Sequence, residues 1–176
     1  MKAYNKLKEI FREASISSDI AGILHWDMST MMPDNSRNHR AEQLSYLSKL
    51  SHDKVSSNQV RDLIFEAKND DLNNNDLHNL REIEREHKLA SSIPSDLVQK
   101  ISRTSAKCEG EWQEAKKNSD FNLIKNSLAE LIKLSKEEAN ILGKVFDVSP
   151  YEALVNKFEP GLSIKLIANV FDDLQQ

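Results

Sequence analysis

The chain has 176 residues, 39% of them hydrophobic and 30% charged, and its net charge is -4 from 24 basic and 28 acidic side chains. A chain of this length can bury most of its apolar surface in one core, so we predict a single helical domain over residues 1–176. The acidic excess argues against nucleic-acid binding, which usually depends on a basic surface. Only 4 Gly and 4 Pro leave little material for hairpin turns, and this favours helices.

The single cysteine, Cys108, has no partner for an internal disulfide. The sequence shows no apolar secretory segment at its start and no apolar run long enough to cross a bilayer. We therefore expect a cytoplasmic protein without membrane contact. Cys108 shares a predicted helical stripe with Ile101 and Ala115, which favours a packed small hydrophobe over a reactive thiol.

Apolar residues recur at intervals of three and four along the first part of the chain, the spacing of one face of an α-helix. This pattern predicts separate helices over residues 2–15 and 20–28, the second of which ends before Pro33. A third helix is predicted from residue 36 to residue 53, and a fourth over residues 60–67.

The middle of the chain continues the helical pattern after a polar break. Residues 69–75, with three consecutive asparagines, predict a loop. The next helix carries apolar positions over residues 77–90, and Pro94 suits the first turn of the helix after it. That helix is predicted to run to about residue 115.

Start signals are clearest near the C-terminal end. Asp120 can cap a helix predicted over residues 121–142, with Gly143 as its stop. Residues 149–152 read Ser-Pro-Tyr-Glu, a capping box with proline at the first helical position. Ser163 can cap the last helix, whose predicted inward-facing residues are Ile164, Ile167, Ala168 and Phe171. Since no strand pattern of useful length appears, we predict an all-α fold, an antiparallel array of about eight to nine helices.

Several short segments, spread in order over nearly the whole chain, resemble the N-terminal portion of a known enzyme family. They read LHWDMSTMMP (24–33), RAEQL (40–44), IPSDLV (93–98), WQEA (112–115), YEAL (151–154) and EPG (159–161). Together they resemble the carboxypeptidase Taq-type zinc metallocarboxypeptidases, also called thermostable carboxypeptidases. The resemblance implies the all-helical fold of that family.

The resemblance also implies an enzyme that releases C-terminal amino acids from peptides with zinc or another divalent metal. In that family the metal is held by His-Glu-x-x-His on one helix, with the glutamate as general base. That motif lies downstream of the Glu-Pro-Gly segment at residues 159–161, and the N-terminal helices flank the active-site groove and restrict access to it. The resemblance thus covers about the first third of a full-length member and none of its catalytic centre.

No histidine in the chain has another histidine four residues away. The five histidines are His25, His39, His52, His78 and His87. We therefore predict no catalytic, cofactor-binding or metal-binding residue in this chain, and we assign the divalent metal to the full-length family alone.

Two weaker metal-like pairs are better explained as structural. His25 and Asp27 are two residues apart and point to different sides of a helix, which makes them a poor chelating pair. His39 and Glu42 have the i, i+3 spacing of a weak surface metal site. A solvated helix face is the favoured interpretation for them.

The remaining histidines and charged residues also favour structural roles. His87 lies on an apolar stripe, where a hydrogen-bonded core histidine is expected, and His52 lies near a helix C-terminus, where the helix dipole favours an imidazolium. Residues 81–86 are charge-dense and predict a solvated helix face. Glu84 and His87 have the Glu-x-x-His spacing of metal-binding four-helix bundles, but the motif has no second copy, so we disfavour a bundle of that kind.

Three larger side chains in the family-like segments are also predicted to be structural. Trp26 and Trp112 each lie on a helical stripe, which favours core packing over ligand stacking. Arg40 is predicted to pair with Asp27 across the turn between two helices and to fix its geometry, rather than to bind substrate.

Two functional hypotheses follow from these observations. The first is an N-terminal helical portion of a metallocarboxypeptidase that is inactive by itself and binds peptide substrates only in the full-length enzyme. Such a layer should expose an apolar patch, and it should self-associate or bind a separate chain that carries the catalytic region. The second is a stand-alone helical interaction or scaffold module derived from that family.

Overall fold

Helices form nearly all the regular structure of residues 2–175, the part of the chain that the computed structural model describes. The described residues contain eight α-helices and one short 3-10 helix at Asp34–Ser36, and no strand. The all-α prediction is confirmed, and the helix count lies at the low end of the predicted range. The helices are α1 (Lys2–Thr30), α2 (Arg37–Val55), α3 (Asn58–Ala67), α4 (Asn74–Ser92), α5 (Ser95–Asn118), α6 (Asn122–Phe146), α7 (Pro150–Val155) and α8 (Ile164–Leu174).

The predicted break between the first two helices is wrong, because α1 is continuous over 29 residues. The serines in the middle of α1 do not interrupt it. Ser17 Oγ donates to the Glu13 carbonyl at 3.1 Å, and Ser18 Oγ donates to the Ala14 carbonyl at 3.2 Å. A serine hydroxyl that donates to the carbonyl four residues earlier is satisfied inside a helix and leaves the helical backbone intact.

Side-chain caps begin five of the helices, and those predicted from the sequence are confirmed. Ser149 Oγ accepts from the Glu152 amide at 3.2 Å, and Ser163 Oγ accepts from the Leu166 amide at 3.3 Å. Asp120 Oδ1 accepts from the amide of the first residue of α6 at 2.9 Å. The caps of α3 and α4, Ser57 and Asn73, act in the same way. These bonds satisfy amide groups that a helix N-terminus otherwise leaves without partners.

Gly143 does not stop α6, as the sequence suggested, because α6 continues to Phe146. The helix ends at Asp147, whose φ is 53°, and the Val148 amide donates back to the Gly143 carbonyl at 3.0 Å. This is a Schellman C-terminus with aspartate in the left-handed position. The Val148 carbonyl oxygen lies 3.0 Å from where a Cβ at residue 143 would stand, so the glycine permits a close approach of the returning chain.

Residues up to Leu134 form the first of two compact units. One apolar cluster in this unit joins the N-terminal half of α1 to α3 and α4, and its largest fully buried members are Tyr4, Leu7 and Val60. A second cluster joins the C-terminal half of α1 to α2 and α5 around Met28 and Leu44. The long helix α1 therefore contributes to both clusters.

The second compact unit runs from Ser135 onward and includes the end of α6. Ala139, Leu142 and Ala153 are its buried apolar residues, and Lys157 Nζ pairs with Glu138 Oε1 at 2.7 Å. The predicted single domain over residues 1–176 stays a prediction.

The prediction that α8 faces inward is wrong. None of its residues is buried, and Phe171 is 60% exposed. Ile164 and Ile167 are half-buried, whereas Ala168 is exposed. The amphipathic spacing of α8 forms a helix as expected, but nothing among the described residues of its unit covers the apolar side.

Candidate functional site

The junction between α1 and α2 is built by one arginine from the family-like segments. Arg40 Nη2 pairs with Asp27 Oδ2 at 2.6 Å, Arg40 Nη1 donates to the Leu24 carbonyl at 2.6 Å, and Arg40 Nε donates to Gln43 Oε1 at 2.8 Å. A guanidinium that serves three acceptors fixes both helices in one geometry. The predicted pairing of Arg40 with Asp27 is confirmed.

His25 and Asp27 point to different partners, as their spacing predicted. His25 Nδ1 lies 3.8 Å from Glu109 Oε2 on α5, and Ser29 Oγ donates to Glu109 Oε1 at 3.2 Å. Asp27 is held by Arg40 on α2. The two side chains therefore offer no common position for a metal ion.

His52 lies in the last turn of α2, as predicted, and it contacts another helix there. Its Nε2 lies 2.9 Å from the Ala90 carbonyl of α4, so Nε2 is the donor, and Nδ1 lies 3.5 Å from Asp53 Oδ1 without a hydrogen bond. Burial acts to raise the pKa of Asp53, but hydrogen bonds from Lys49 and Ser95 outweigh it, and the pKa lies below its ordinary value. The carboxylate is thus held ionised between α2 and the start of α5.

The Glu-x-x-His motif on α4 does not converge on one point. His87 Nδ1 lies 2.8 Å from the Val55 carbonyl, which makes His87 a hydrogen-bonded, half-buried histidine close to the predicted role. Glu84 Oε1 pairs with Lys68 Nζ on α3 at 2.7 Å. Each side chain therefore joins α4 to a different neighbour.

The two remaining histidines, His39 and His78, are exposed. Glu42, the possible partner of His39, instead pairs with Arg103 on α5 at 2.8 Å. Across residues 2–175, no group of three or more histidine, cysteine, aspartate or glutamate side chains is placed to hold a metal ion. The donors described here therefore do not fit the metal that the family resemblance implies, and no catalytic step can be built on them.

The predicted core packing of the two tryptophans is wrong. Trp26 is 63% exposed and Trp112 is 50% exposed, with Lys116 Nζ 5.3 Å from the Trp112 ring. Trp26 lies two residues from both Leu24 and Met28, which pack into the second cluster, and a separation of two places it on the other side of α1. Apolar spacing identified the helices but not which apolar side they bury.

Cys108 is buried with Ala115 and Ile124, which confirms the prediction that it is a packed small hydrophobe. A thiol in this position is shielded from solvent and lies among apolar groups.

One apolar surface was not singled out by the sequence. Ile16, Ile20 and Ile23 are 48, 45 and 65% exposed on α1, at spacings of four and three residues. We call these three residues the α1 stripe. The sequence signal for it was present, since Ile20 and Ile23 lie within the predicted helix over residues 20–28, but the same helix also buries Met28 on another side.

Two open clefts lie between helices of the first unit. One, of about 300 Å³, lies between α1 and α4 and is lined by Phe11 and Ile83 among charged residues of both signs. The other, of about 340 Å³, lies between α3 and α4 beside Phe65 and His87. Cations and carboxylates are mixed in both clefts, so neither presents a surface of one charge.

Comparison with known proteins identifies the family. The family model described as carboxypeptidase Taq (M32) metallopeptidase matches residues 6–176. The chain belongs to this family. It is 26% identical to thermostable carboxypeptidase 1 of Thermus thermophilus over 99% of the chain and 29% identical to carboxypeptidase 1 of Bacillus subtilis over 100% of it. In both cases the match spans 36% of the relative's own length, at its N-terminal end.

Solved structures agree with this assignment. The crystal structure named BsuCP superposes with a TM-score of 0.91 at 27% identity, and it is matched over 99% of this chain and 35% of its own. Metallocarboxypeptidase 1 of Trypanosoma cruzi gives a TM-score of 0.79 at 29% identity with the same coverage. The helical arrangement is therefore that of an M32 carboxypeptidase over about a third of its length.

Every helix among residues 2–175 is too short or too polar to cross a membrane.

Proposed function

We propose that this chain is the N-terminal helical portion of a zinc metallocarboxypeptidase that releases C-terminal amino acids from peptides. By itself it binds no catalytic metal and hydrolyses no peptide. The family match over residues 6–176 supports the enzyme class, and the 36% coverage of the relatives supports the assignment to one portion of the fold.

The observation that carries the proposal is that three of the five histidines have separate partners and the other two, His39 and His78, are exposed. His52 and His87 contact backbone carbonyls of other helices, and His25 lies beside Glu109. Metal-dependent peptide hydrolysis needs two or three ligands on one ion and a base beside the bound water. Zinc or another divalent metal, and with it the peptide substrate, is therefore assigned to the remainder of the enzyme.

Within that enzyme the portion acts as a fixed helical wall beside the active-site groove. An exopeptidase needs a groove that admits only a chain end, and rigid flanking helices provide the block. The Arg40 contacts with Asp27 and with the Leu24 carbonyl support this role, because they hold α1 and α2 in one arrangement.

We also propose that the protein is cytoplasmic. Cell fractionation tests this, and recovery of the protein outside the cytoplasmic fraction would contradict it.

The proposal is tested with two polypeptides. The first is the 176-residue chain alone, for which we expect no stoichiometric zinc and no release of amino acid from a blocked dipeptide. The second fuses the chain to the part of Bacillus subtilis carboxypeptidase 1 that follows the matched region, and we expect metal-dependent release of the C-terminal residue. Tight zinc with turnover by the chain alone, or an inactive but folded fusion, contradicts the proposal.

A stand-alone interaction module is the alternative, and the exposed side of α8 favours it. Leu166, Val170 and Leu174 are exposed there along with Phe171, as in a helix that awaits a partner. Self-association or a separate chain carrying the catalytic region would both cover such a side. The coding sequence that follows this chain in its genome distinguishes the two functions, since a frame that contains His-Glu-x-x-His favours the enzyme.

A further inference from the structure

The α1 stripe extends onto the neighbouring helix. Arg40 donates to the Leu24 carbonyl, and Ser51 Oγ donates to the Ala14 carbonyl, so α1 and α2 run antiparallel with residue 50 level with residue 16. Leu50 is exposed at that level, and Leu47 is half-buried one turn closer to residue 20. We call the α1 stripe together with Leu47 and Leu50 the α1–α2 apolar surface.

This surface lies on the side of the helix pair that α5 leaves uncovered. On α1, α5 is contacted by Ser29, and Ile23 is six residues away, about 120° around the helix. On α2, Ser45 Oγ donates to the Gln99 carbonyl of α5, and Leu50 is five residues away, about 140° around the helix. The first rotation runs backward along α1 and the second runs forward along α2. Because the two helices are antiparallel, Ile23 and Leu50 therefore lie on the same side of the pair, opposite α5.

Two of the carboxylates that border the surface are paired. Glu13 is held by Lys54, which lowers the pKa of the Glu13 carboxyl through a hydrogen bond and the charge of the ammonium. Asp27 is held by Arg40. Arg12 and Asp19, one turn before Ile16 and Ile23, are charges of opposite sign at its edge. The surface thus has an apolar centre and a charged edge without one dominant sign, which suits an apolar helix face and not a strongly charged peptide.

We propose that the α1–α2 apolar surface is the docking site for the C-terminal catalytic region of a family member. This inference rests on the proposed function. It is supported by the length of the relatives, which continue for nearly twice the length of this chain beyond the matched region. It is also supported by the exposure of Ile16, Ile20 and Ile23 on consecutive turns of one helix, because a contiguous exposed apolar patch marks an interaction site.

The test supplies the catalytic region as a separate polypeptide. The segment of Bacillus subtilis carboxypeptidase 1 that follows the matched region is tagged and co-expressed with this chain, and the amount of chain that co-purifies is measured. The disrupting variant carries Ile20→Asp and Ile23→Asp. The matched control is Phe65→Asp, which changes an exposed apolar residue of α3 in the same way. If circular dichroism shows that the aspartate variant is unfolded, Ile20→Gln with Ile23→Gln replaces it.

We expect the wild-type chain and the Phe65→Asp control to co-purify in equal amounts. The amount of the Ile20, Ile23 variant that co-purifies should be at least tenfold lower. Equal co-purification of all three overturns the inference, and so does a wild-type chain that does not co-purify. Sedimentation of the chain alone gives a further outcome. If the wild-type chain is a dimer and the Ile20, Ile23 variant is a monomer, the surface binds a second copy, and the inference is overturned. Activity of the fused polypeptide decides the proposed function separately, because fusion does not depend on docking between two chains.

Discussion

Arg40 on α2 and Asp27 on α1 form an ion pair in which the guanidinium side chain is only 13% exposed, and the same guanidinium also binds a carbonyl of α1. The effect of such a pair on stability is seen when one partner is removed and the other is left unpaired. Removal of the cation exposes a carboxylate and a carbonyl that the packing partly shields from water.

We therefore expect Arg40→Ala to lower the free energy of unfolding by about 2 kcal/mol in urea titrations. Arg40→Lys should recover only part of this loss, because an ammonium cannot reproduce the fork that contacts three acceptors. The control is Arg61→Ala, which breaks the well-exposed pair with Asp62 and should cost less than about 0.5 kcal/mol. Equal losses in Arg40→Ala and Arg61→Ala would contradict the structural role of the junction.

Ionisation of Tyr4 should lower the stability of the fold at alkaline pH. Burial raises the pKa of the Tyr4 phenol above its ordinary value, although the hydrogen bond from Asn79 Nδ2 at 2.8 Å acts in the opposite direction. The neutral phenol is thus favoured in the folded state, so its contribution is fully present below the unfolded pKa of about 10 and is lost as the pH rises through the folded value. Urea midpoints measured across that range should fall for wild type and fall less for Tyr4→Phe. Parallel curves for the two proteins would exclude this explanation.

Ser119 ends α5 in the left-handed region, with φ of 53°, and the Asp120 amide donates back to the Ala115 carbonyl at 3.0 Å. A non-glycine residue pays a steric cost there that glycine avoids. We expect Ser119→Gly to raise the free energy of unfolding by about 0.5 to 1 kcal/mol. Ser56→Gly is the matched control, since Ser56 ends α2 with φ of -80° and should gain nothing. Thermal melts of the two variants give the comparison, and a gain at Ser56 as large as that at Ser119 would refute the conformational argument.

Cys108 should be unreactive in the folded protein. Because the thiol is buried among Ala115 and Ile124, a thiol reagent should label it at the rate of unfolding and not at the rate seen in urea. Cys108→Ala should cost little, whereas Cys108→Ser buries a hydroxyl and should cost about 1 to 3 kcal/mol. Rapid labelling of the native chain would show that the α5–α6 contact opens readily.

Much of the fold followed from local signals that act within a few residues. The caps at Ser149 and Ser163 depend on a hydroxyl and an amide three residues apart, and the ion pair of Arg40 and Asp27 depends on one short turn. The helix boundaries near Ser17 were missed because serine can either break a helix or donate to the preceding turn, and only the surrounding packing decides which.

The environment of the apolar residues was harder to predict for a different reason. Trp26 and Phe171 lie at helical spacings, yet both are exposed. Spacing shows that an apolar side exists, whereas burial depends on what else in the polypeptide reaches that side. Family resemblance was informative here, because the chain matches only 36% of the length of its relatives. The absence of a His-Glu-x-x-His motif followed from histidine spacing, whereas the backbone carbonyls that His52 and His87 contact belong to other helices and could not be predicted from local sequence.

The continuity of α1 has a thermodynamic consequence for the first unit. Tyr4 and Leu7 anchor one end of this rod in the cluster with α3 and α4, and Met28 anchors the other end in the cluster with α2 and α5. The rod is about 43 Å long at 1.5 Å per residue, so neither cluster can melt without releasing turns that the other needs. The slowest-exchanging amide protons of α1 should therefore disappear together, in one cooperative step, whichever end is perturbed.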